Sequence, residues 1–261
     1  MNFENLIYET QDGICRITLN RPQVYNALSP ALIEEITEAI YQAGLDDLVR
    51  VIILTGSGEK AFSSGADLKA GMAEGMTSLG DSLRKTYHPM ILAIRHLQKP
   101  VICRLNGLAA GAGCSLALAC DVIIAQKEAY LCQIFVNIGL MPDAGSTFFL
   151  PRIVGMSKAF EICSTGRKVF MDEAISLGLV NKVVDFEELD EAVNHIANHY
   201  KNAPTKAIGT MKQVLNQSFF SNLEEMLELE AENQDKLGQT PDAGEGILAF
   251  LMKRKAEFKG K

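Results

Sequence analysis

Apolar and polar positions follow two rhythms along the first 185 residues. In NLIYETQDGICRITLN, apolar residues cluster on either side of Asp12-Gly13, which predicts two short strands around a turn. ALIEEITEAIYQAGLD instead places Leu32, Ile33, Ile36, Ala39, Ile40 and Ala43 at helical spacing. Ser29-Pro30 ahead of it supplies a cap and a first-turn proline. VRVIILTGSG, KPVICRLNG and CDVIIAQ are apolar without alternation, which suits parallel strands covered on both faces. Helical stretches around 79–97 and 111–119 fall between these strands, so the pattern predicts an α/β layered core.

Beyond about residue 185 the strand signal stops. FEELDEAVNHIANHYKNA, TKAIGTMKQVLNQS, NLEEMLELEAENQDKL and DAGEGILAFLMKRKAEF all read as amphipathic helices. The shift sets a soft boundary near Ala203-Pro204, with residues 1–200 as a core carrying the active site and 201–261 as a helical oligomerisation region. The apolar faces of that region (Leu223, Met226, Leu227, Leu229; Ile247, Leu248, Phe250, Leu251) must fold back on the core or meet another subunit.

Composition narrows the function classes. The 261 residues are 48% hydrophobic and 22% charged, an ordinary globular balance. A net charge of -7 without a basic stripe argues against nucleic acid. The start carries no signal-peptide pattern, and no apolar run reaches the length of a membrane span. Six scattered cysteines without a CxxC read as buried reduced thiols, so the expectation is a cytoplasmic protein with neither metal nor disulfides.

Three segments could carry chemistry. AFSSGADLKA (61–70) has small residues that let backbone approach a ligand, or is a turn before a capped helix. NGLAAGAGCSLALACD (106–121) follows a strand with Gly107, Gly111 and Gly113 and opens a helix, whose N-terminal N–H groups can hold an oxyanion. It lacks the third glycine of a dinucleotide fingerprint, and tight helix–strand packing is its plain alternative. GLMPDAGSTFFLPRIVG (139–155) sets one carboxylate, Asp143, in an apolar turn, either as a helix cap or as a tuned base.

In that order and spacing, GADLK, NGLAAGAGCSLALACD and IGLMPDAGSTFFLPRIVG resemble the crotonase family, the enoyl-CoA hydratase/isomerase superfamily. ITLNRPQVYNALS near the start and EGILAFLMKRKAEF near the end resemble its terminal signatures, so the likeness spans essentially the whole chain. The resemblance implies the ClpP/crotonase-like spiral of ββα units with a C-terminal helical trimerisation region, assembling as a homotrimer or dimer of trimers. It implies an acyl-CoA thioester substrate and no cofactor, coenzyme A being part of the substrate, with no membrane or nucleic-acid partner. Carried over residue by residue, it places the two oxyanion N–H groups on Ala66 and Ala112. It also implies a CoA-binding loop through Ala66, Asp67, Leu68 and Lys69, and a contribution from Phe250 and Lys253 to the CoA of the same or a neighbouring subunit.

The chain departs from the hydratase pattern. The two positions at which family hydratases carry water-handling glutamates are Ser115 and Phe135 here. The acid stands after the turn proline instead, as Asp143, a placement similar to that in the epoxyphenylacetyl-CoA isomerases and 3,2-enoyl-CoA isomerases. One base suffices for allylic isomerisation, which removes a proton at one carbon and returns it at another. The expectation is therefore an acyl-CoA double-bond isomerase with Asp143, Ala66 and Ala112 as its catalytic groups. A hydratase or another reaction of the same fold is the alternative, and a non-catalytic CoA-ester binding or assembly protein the alternative from another class. Residues 70–90 are the segment expected to set acyl specificity.

Overall fold

The computed structural model describes residues 3–73 and 78–261. The chain opens with β1 (Leu6–Gln11), β2 (Ile14–Leu19), α1 (Pro30–Leu45), β3 (Val51–Gly56), β4 (Ala61–Ser63) and α2 (Leu68–Ala73). Next come α3 (Leu79–Ser82), a π-helical turn (Leu83–Tyr87), α4 (His88–His96), β5 (Val101–Leu105), β6 (Leu108–Ala110) and α5 (Ala112–Ala119). β7 (Val122–Gln126), β8 (Tyr130–Cys132), α6 (Ser146–Val154), α7 (Met156–Thr165), β9 (Lys168–Phe170), α8 (Met171–Ser176) and β10 (Lys182–Val184) follow. Four helices complete it: α9 (Leu189–Lys201), α10 (Thr205–Gln217), α11 (Leu223–Gly238) and α12 (Pro241–Leu251).

The strands form two sheets. Six run in the order β1-β2-β3-β5-β7-β10 and four in the order β4-β6-β8-β9. β3, β5 and β7 are parallel in the first sheet, and their successors β4, β6 and β8 are parallel in the second. Each passage thus deposits one strand in each sheet before returning through helix. That repetition is the spiral of ββα units that the resemblance implies.

Local chemistry explains the elements. β1 and β2 pair antiparallel around Asp12 (φ 49°) and Gly13 (φ 78°), the two positive dihedrals of a two-residue hairpin turn. Ser29 Oγ accepts the N–H of Leu32, and Pro30 starts α1, as the sequence predicts. β3 and β5 are buried at every position because both faces are covered. Ile52, Leu54, Val101 and Cys103 pack into the main core with α1, α4 and α5. Val51, Ile53, Ile102 and Ile124 lie under Leu189, Ala192, Val193 and Ala197 of α9. Arg104 on β5 clamps Asp190 on α9 at 3.0 and 2.8 Å. α9 therefore belongs to the sheet's packing, and the chain leaves it only at Asn202.

From there α10 is tied back by Lys212, whose buried Nζ donates to Asp121 (2.7 Å) and to the carbonyl of Ile94 (2.8 Å). α11 and α12 leave Leu223, Leu227, Ile247, Leu248, Phe250 and Leu251 exposed. Among the described residues, no helix is long and apolar enough to cross a membrane.

Sequence reasoning missed most of the second sheet. β4, β6, β8 and β9 are three residues each, too short to display a period. The 79–97 stretch is helical, but with a π turn in its middle. The closing helix stops at Leu251, so Lys253 lies beyond it, with a left-handed backbone (φ 53°).

Candidate active site

The site begins with how backbone is presented. Residue 66 bridges Leu28 as in a parallel ladder. Leu28 N–H donates to Gly65 O (2.8 Å), and Asp67 N–H donates to Leu28 O (3.0 Å). Both bonds use the neighbours of Ala66, so its own N–H points to the opposite edge. Asn26 holds the loop behind it, accepting from Arg21 N–H and donating to the carbonyls of Ser57 and Ala61.

Ala112 is the first residue of α5, where an N–H has no intrahelical acceptor and the helix dipole is positive. Among the described residues, neither the Ala66 nor the Ala112 N–H meets a protein acceptor. Glycines bring the two segments together. A Cβ on Gly65 (φ 94°) would lie 2.7 Å from Ala110 O and 3.4 Å from Ala112 N. A Cβ on Gly113 would lie 2.5 Å from Ser63 O. Only hydrogen at both positions lets the helix start press against the loop.

These elements border a cleft of about 680 Å³. Ala66, Asp67 and Leu68 form one side; Phe135, Ile138, Leu140, Met141 and Asp143 form another; Leu79, Leu83, Tyr87 and His88 close it. Ala112 sits one layer behind, against Gly65. Of the segment expected to set specificity, 74–77 lies outside the described residues, and the remainder supplies the wall from Leu79 to His88.

Asp143 faces this cleft. No described residue donates to its carboxylate, and Oδ1 is buried without a partner. Burial alone pushes its pKa up to about 6. It is not a helix cap: α6 begins at Ser146 after Gly145, with no side-chain cap bond. What Asp143 gives the turn is its carbonyl, which accepts Ser146 N–H at 3.1 Å.

Other expected residues sort differently. The Asp67 carboxylate is engaged within the protein, accepting from Ala70 N–H (3.1 Å) and pairing with Arg21 Nη2 (2.9 Å). Those bonds, the Ala70 N–H foremost, hold its pKa below the usual carboxylate range. Lys69 is exposed on α2. Phe250 on α12 and Lys253 just beyond it are exposed, and neither borders the cleft of its own chain.

Two groups escaped sequence reasoning. Tyr87, 8% exposed, lines the cleft with a hydroxyl that makes no hydrogen bond among the described residues. Its pKa is raised by burial first, and then by the negative charges of Asp143 and Asp67. His88 borders the same cleft. Their signal was the helix 79–97 itself, whose inner face could be assigned only once the π turn was known.

A preorganised pair of N–H groups beside one desolvated carboxylate can hold a carbonyl oxygen as it gains charge while a proton leaves the neighbouring carbon. The comparisons agree with that chemistry. Residues 9–261 match the family model described as enoyl-CoA hydratase/isomerase. The chain is 41% identical over 261 residues to a probable enoyl-CoA hydratase of Rhodobacter capsulatus, covering 100% of both. It is 35% identical to the 1,2-epoxyphenylacetyl-CoA isomerase of Escherichia coli, covering 99% of each. The crystal structure of an enoyl-CoA hydratase from Bacillus anthracis superposes with a TM-score of 0.91 at 34% identity, covering 99% of this chain and 100% of that one. Two backbone N–H groups and one carboxylate without partners among the described residues, with full-length likeness in sequence and fold, converge, and the chain belongs to the enoyl-CoA hydratase/isomerase family.

Proposed function

We propose that the protein is an acyl-CoA double-bond isomerase. The N–H groups of Ala66 and Ala112 take the thioester oxygen. Asp143 removes a proton from the α-carbon of a 3-enoyl thioester and returns it to the γ-carbon, and the double bond moves into conjugation. The intermediate dienolate places its charge on the thioester oxygen, where each backbone donor contributes roughly 3–4 kcal/mol. A carboxyl titrating near 6 is ionised at neutral pH and a stronger base than an ordinary aspartate.

The observation that carries this reading is the solitude of Asp143. It is the acid of the cleft with no partner among the described residues, while Ser115 is buried in the α5 packing and Phe135 presents an apolar edge. A second carboxylate to orient water is therefore missing from both positions where the resemblance would put one. The backbone of 66–69 binds the CoA thioester, and Phe250 and Lys253 serve the CoA of a neighbouring subunit in a trimer built on the exposed faces of α11 and α12. Proton transfer of this kind requires no metal or redox cofactor.

Hydration is the second reading, favoured by the name of the Rhodobacter relative. The two are separated by following 3-enoyl-CoA conversion to 2-enoyl-CoA beside 2-enoyl-CoA hydration, in wild type and Asp143→Asn. Isomerisation that collapses in the variant, with weak hydration throughout, supports the proposal. Brisk hydration indifferent to Asp143 overturns it.

A further inference from the structure

The turn that carries Asp143 is held in an unusual way. Ala144, directly after the base, is a buried non-glycine residue at φ 48°, and Gly145 follows at φ 88°. Two successive left-handed residues, one of them with a Cβ, persist only where the surroundings over-determine them. The surroundings here are a file of buried polar groups. Ser115 Oγ lies 3.0 Å from Asp143 O, 3.3 Å from Gly111 O and 2.7 Å from Ser146 Oγ. Gln133 Nε2 lies 2.8 Å from Ser146 Oγ and 3.4 Å from Cys114 Sγ. Ser115 and Ser146 are fully buried, and Gln133 is 1% exposed.

The direction of the bonds follows from the inventory of protons. Carbonyls only accept, so the Ser115 proton goes to Asp143 O, the nearer of the two. The Ser115 lone pair then receives the Ser146 proton, and Ser146 receives from the Gln133 amide. Turning the amide round would draw both hydroxyl protons away from Asp143 O and leave that carbonyl facing a lone pair. Gln133 Oε1, buried without a partner, is what this orientation leaves over. Aligned bonds polarise one another and stiffen the file.

We propose that Ser115, with Ser146 and Gln133 behind it, is a positioning residue for the base. It fixes the main chain of Asp143 against α5, so that one helix sets both halves of the catalytic site. Ala112, the oxyanion donor, and Ser115, the clamp, stand three residues apart at the start of that helix. The distance from thioester oxygen to carboxylate is thereby built into a single rigid turn. The inference rests on Asp143 acting as the base.

The test uses Ser115→Ala and Ser146→Ala in the full-length protein, with kinetics on 3-enoyl-CoA and thermal melts. Each substitution lowers kcat on the order of 10–100-fold with KM within about twofold, since the CoA contacts are untouched and only the reacting geometry loosens. The acid limb of the kcat/KM profile moves from near pH 6 toward that of an ordinary carboxyl as the turn relaxes into water. The double variant is no slower than the worse single one, because either change cuts the same file. Unchanged kcat and an unmoved acid limb in folded single variants overturn the proposal, as do independent, multiplicative effects. A readout apart from turnover is the stability difference between Asp143 and Asp143→Asn as a function of pH. Its midpoint falls when Ser115→Ala is introduced, and a midpoint that stays put refutes the clamp. Should the wild type fail to isomerise any 3-enoyl-CoA, the isomerase reading falls while this melt still decides whether Ser115 holds the carboxylate in place.

Discussion

Replacing Asp143 with asparagine should make the protein more stable as it makes it inactive. In the fold the carboxyl titrates near 6 rather than 3.8, because it is desolvated and no described residue donates to it. Each pKa unit corresponds to about 1.4 kcal/mol, so ionising Asp143 at neutral pH opposes folding by about 3 kcal/mol at most. The side chain is partly open to the cleft, and halving that figure for solvent screening leaves ~1.5 kcal/mol. An amide of the same shape never ionises and escapes this penalty. For a chain of this size, Asp143→Asn should raise the melting temperature by roughly 3–6 °C at pH 7.5. The sign follows from the raised pKa of an acid. Between pH 4 and 6 the native state holds the proton more tightly than the unfolded chain, so wild-type stability falls as pH climbs through that window. The advantage of the variant is therefore complete above about pH 6, shrinks through the window on acidification and vanishes below about pH 4. Melts of both proteins at half-unit pH intervals check it. A variant that melts below wild type, or a difference that ignores pH, would refute the claim that Asp143 is an unpaired, desolvated acid.

Further outcomes follow from the same geometry. Gly65→Ala places a Cβ 2.7 Å from Ala110 O at a left-handed φ and pries the Ala66 and Ala112 segments apart; if their N–H groups hold the oxyanion as proposed, kcat should fall by about 100–1000-fold while CoA binding, measured by calorimetry, persists. Wild-type kcat/KM for isomerisation should drop tenfold per pH unit below about pH 6, as the base is protonated. Lys212→Met breaks the buried pair with Asp121 and should cost about 3 kcal/mol in urea unfolding. Tyr87→Phe removes a hydroxyl with no partner among the described residues and should leave stability within ~0.5 kcal/mol. Any large loss there would reveal a bond that the fold does not display.

Legibility in the sequence followed the range of the physics involved. α1 was readable because its period, its Ser29 cap and its Pro30 all act within four residues of one another. β3 and β5 were readable as unbroken apolar runs. Ala66 and Ala112 were reached through resemblance, and only the fold could show why their N–H groups are free: one depends on Leu28, thirty-eight residues earlier, the other on its place at a helix start. Asp143 was suspected from its apolar company, and its alternative as a cap was undecidable without knowing that α6 starts after Gly145. The pairing of the Asp67 carboxylate with Arg21 was not readable, because Arg21 is remote in sequence. The file from Gln133 through Ser146 to Ser115 joins residues up to 31 apart by hydroxyls that carry no pattern of their own.

The π turn at Leu83–Tyr87 holds one residue more than an α-helix would in the same rise. This wall of the cleft therefore carries a spare residue. Deleting one residue there would let the segment close to α geometry, because four α residues turn through about the same angle as the five residues of the π turn. Leu79 before the turn and His88 after it would keep their side of the helix, with Ala66, Ala112 and Asp143 left where they are. A deletion elsewhere in the same stretch would instead rotate one end of the wall against the other by about 100°, so the π turn is a place where this helix can change length without changing the side chains it turns toward the cleft.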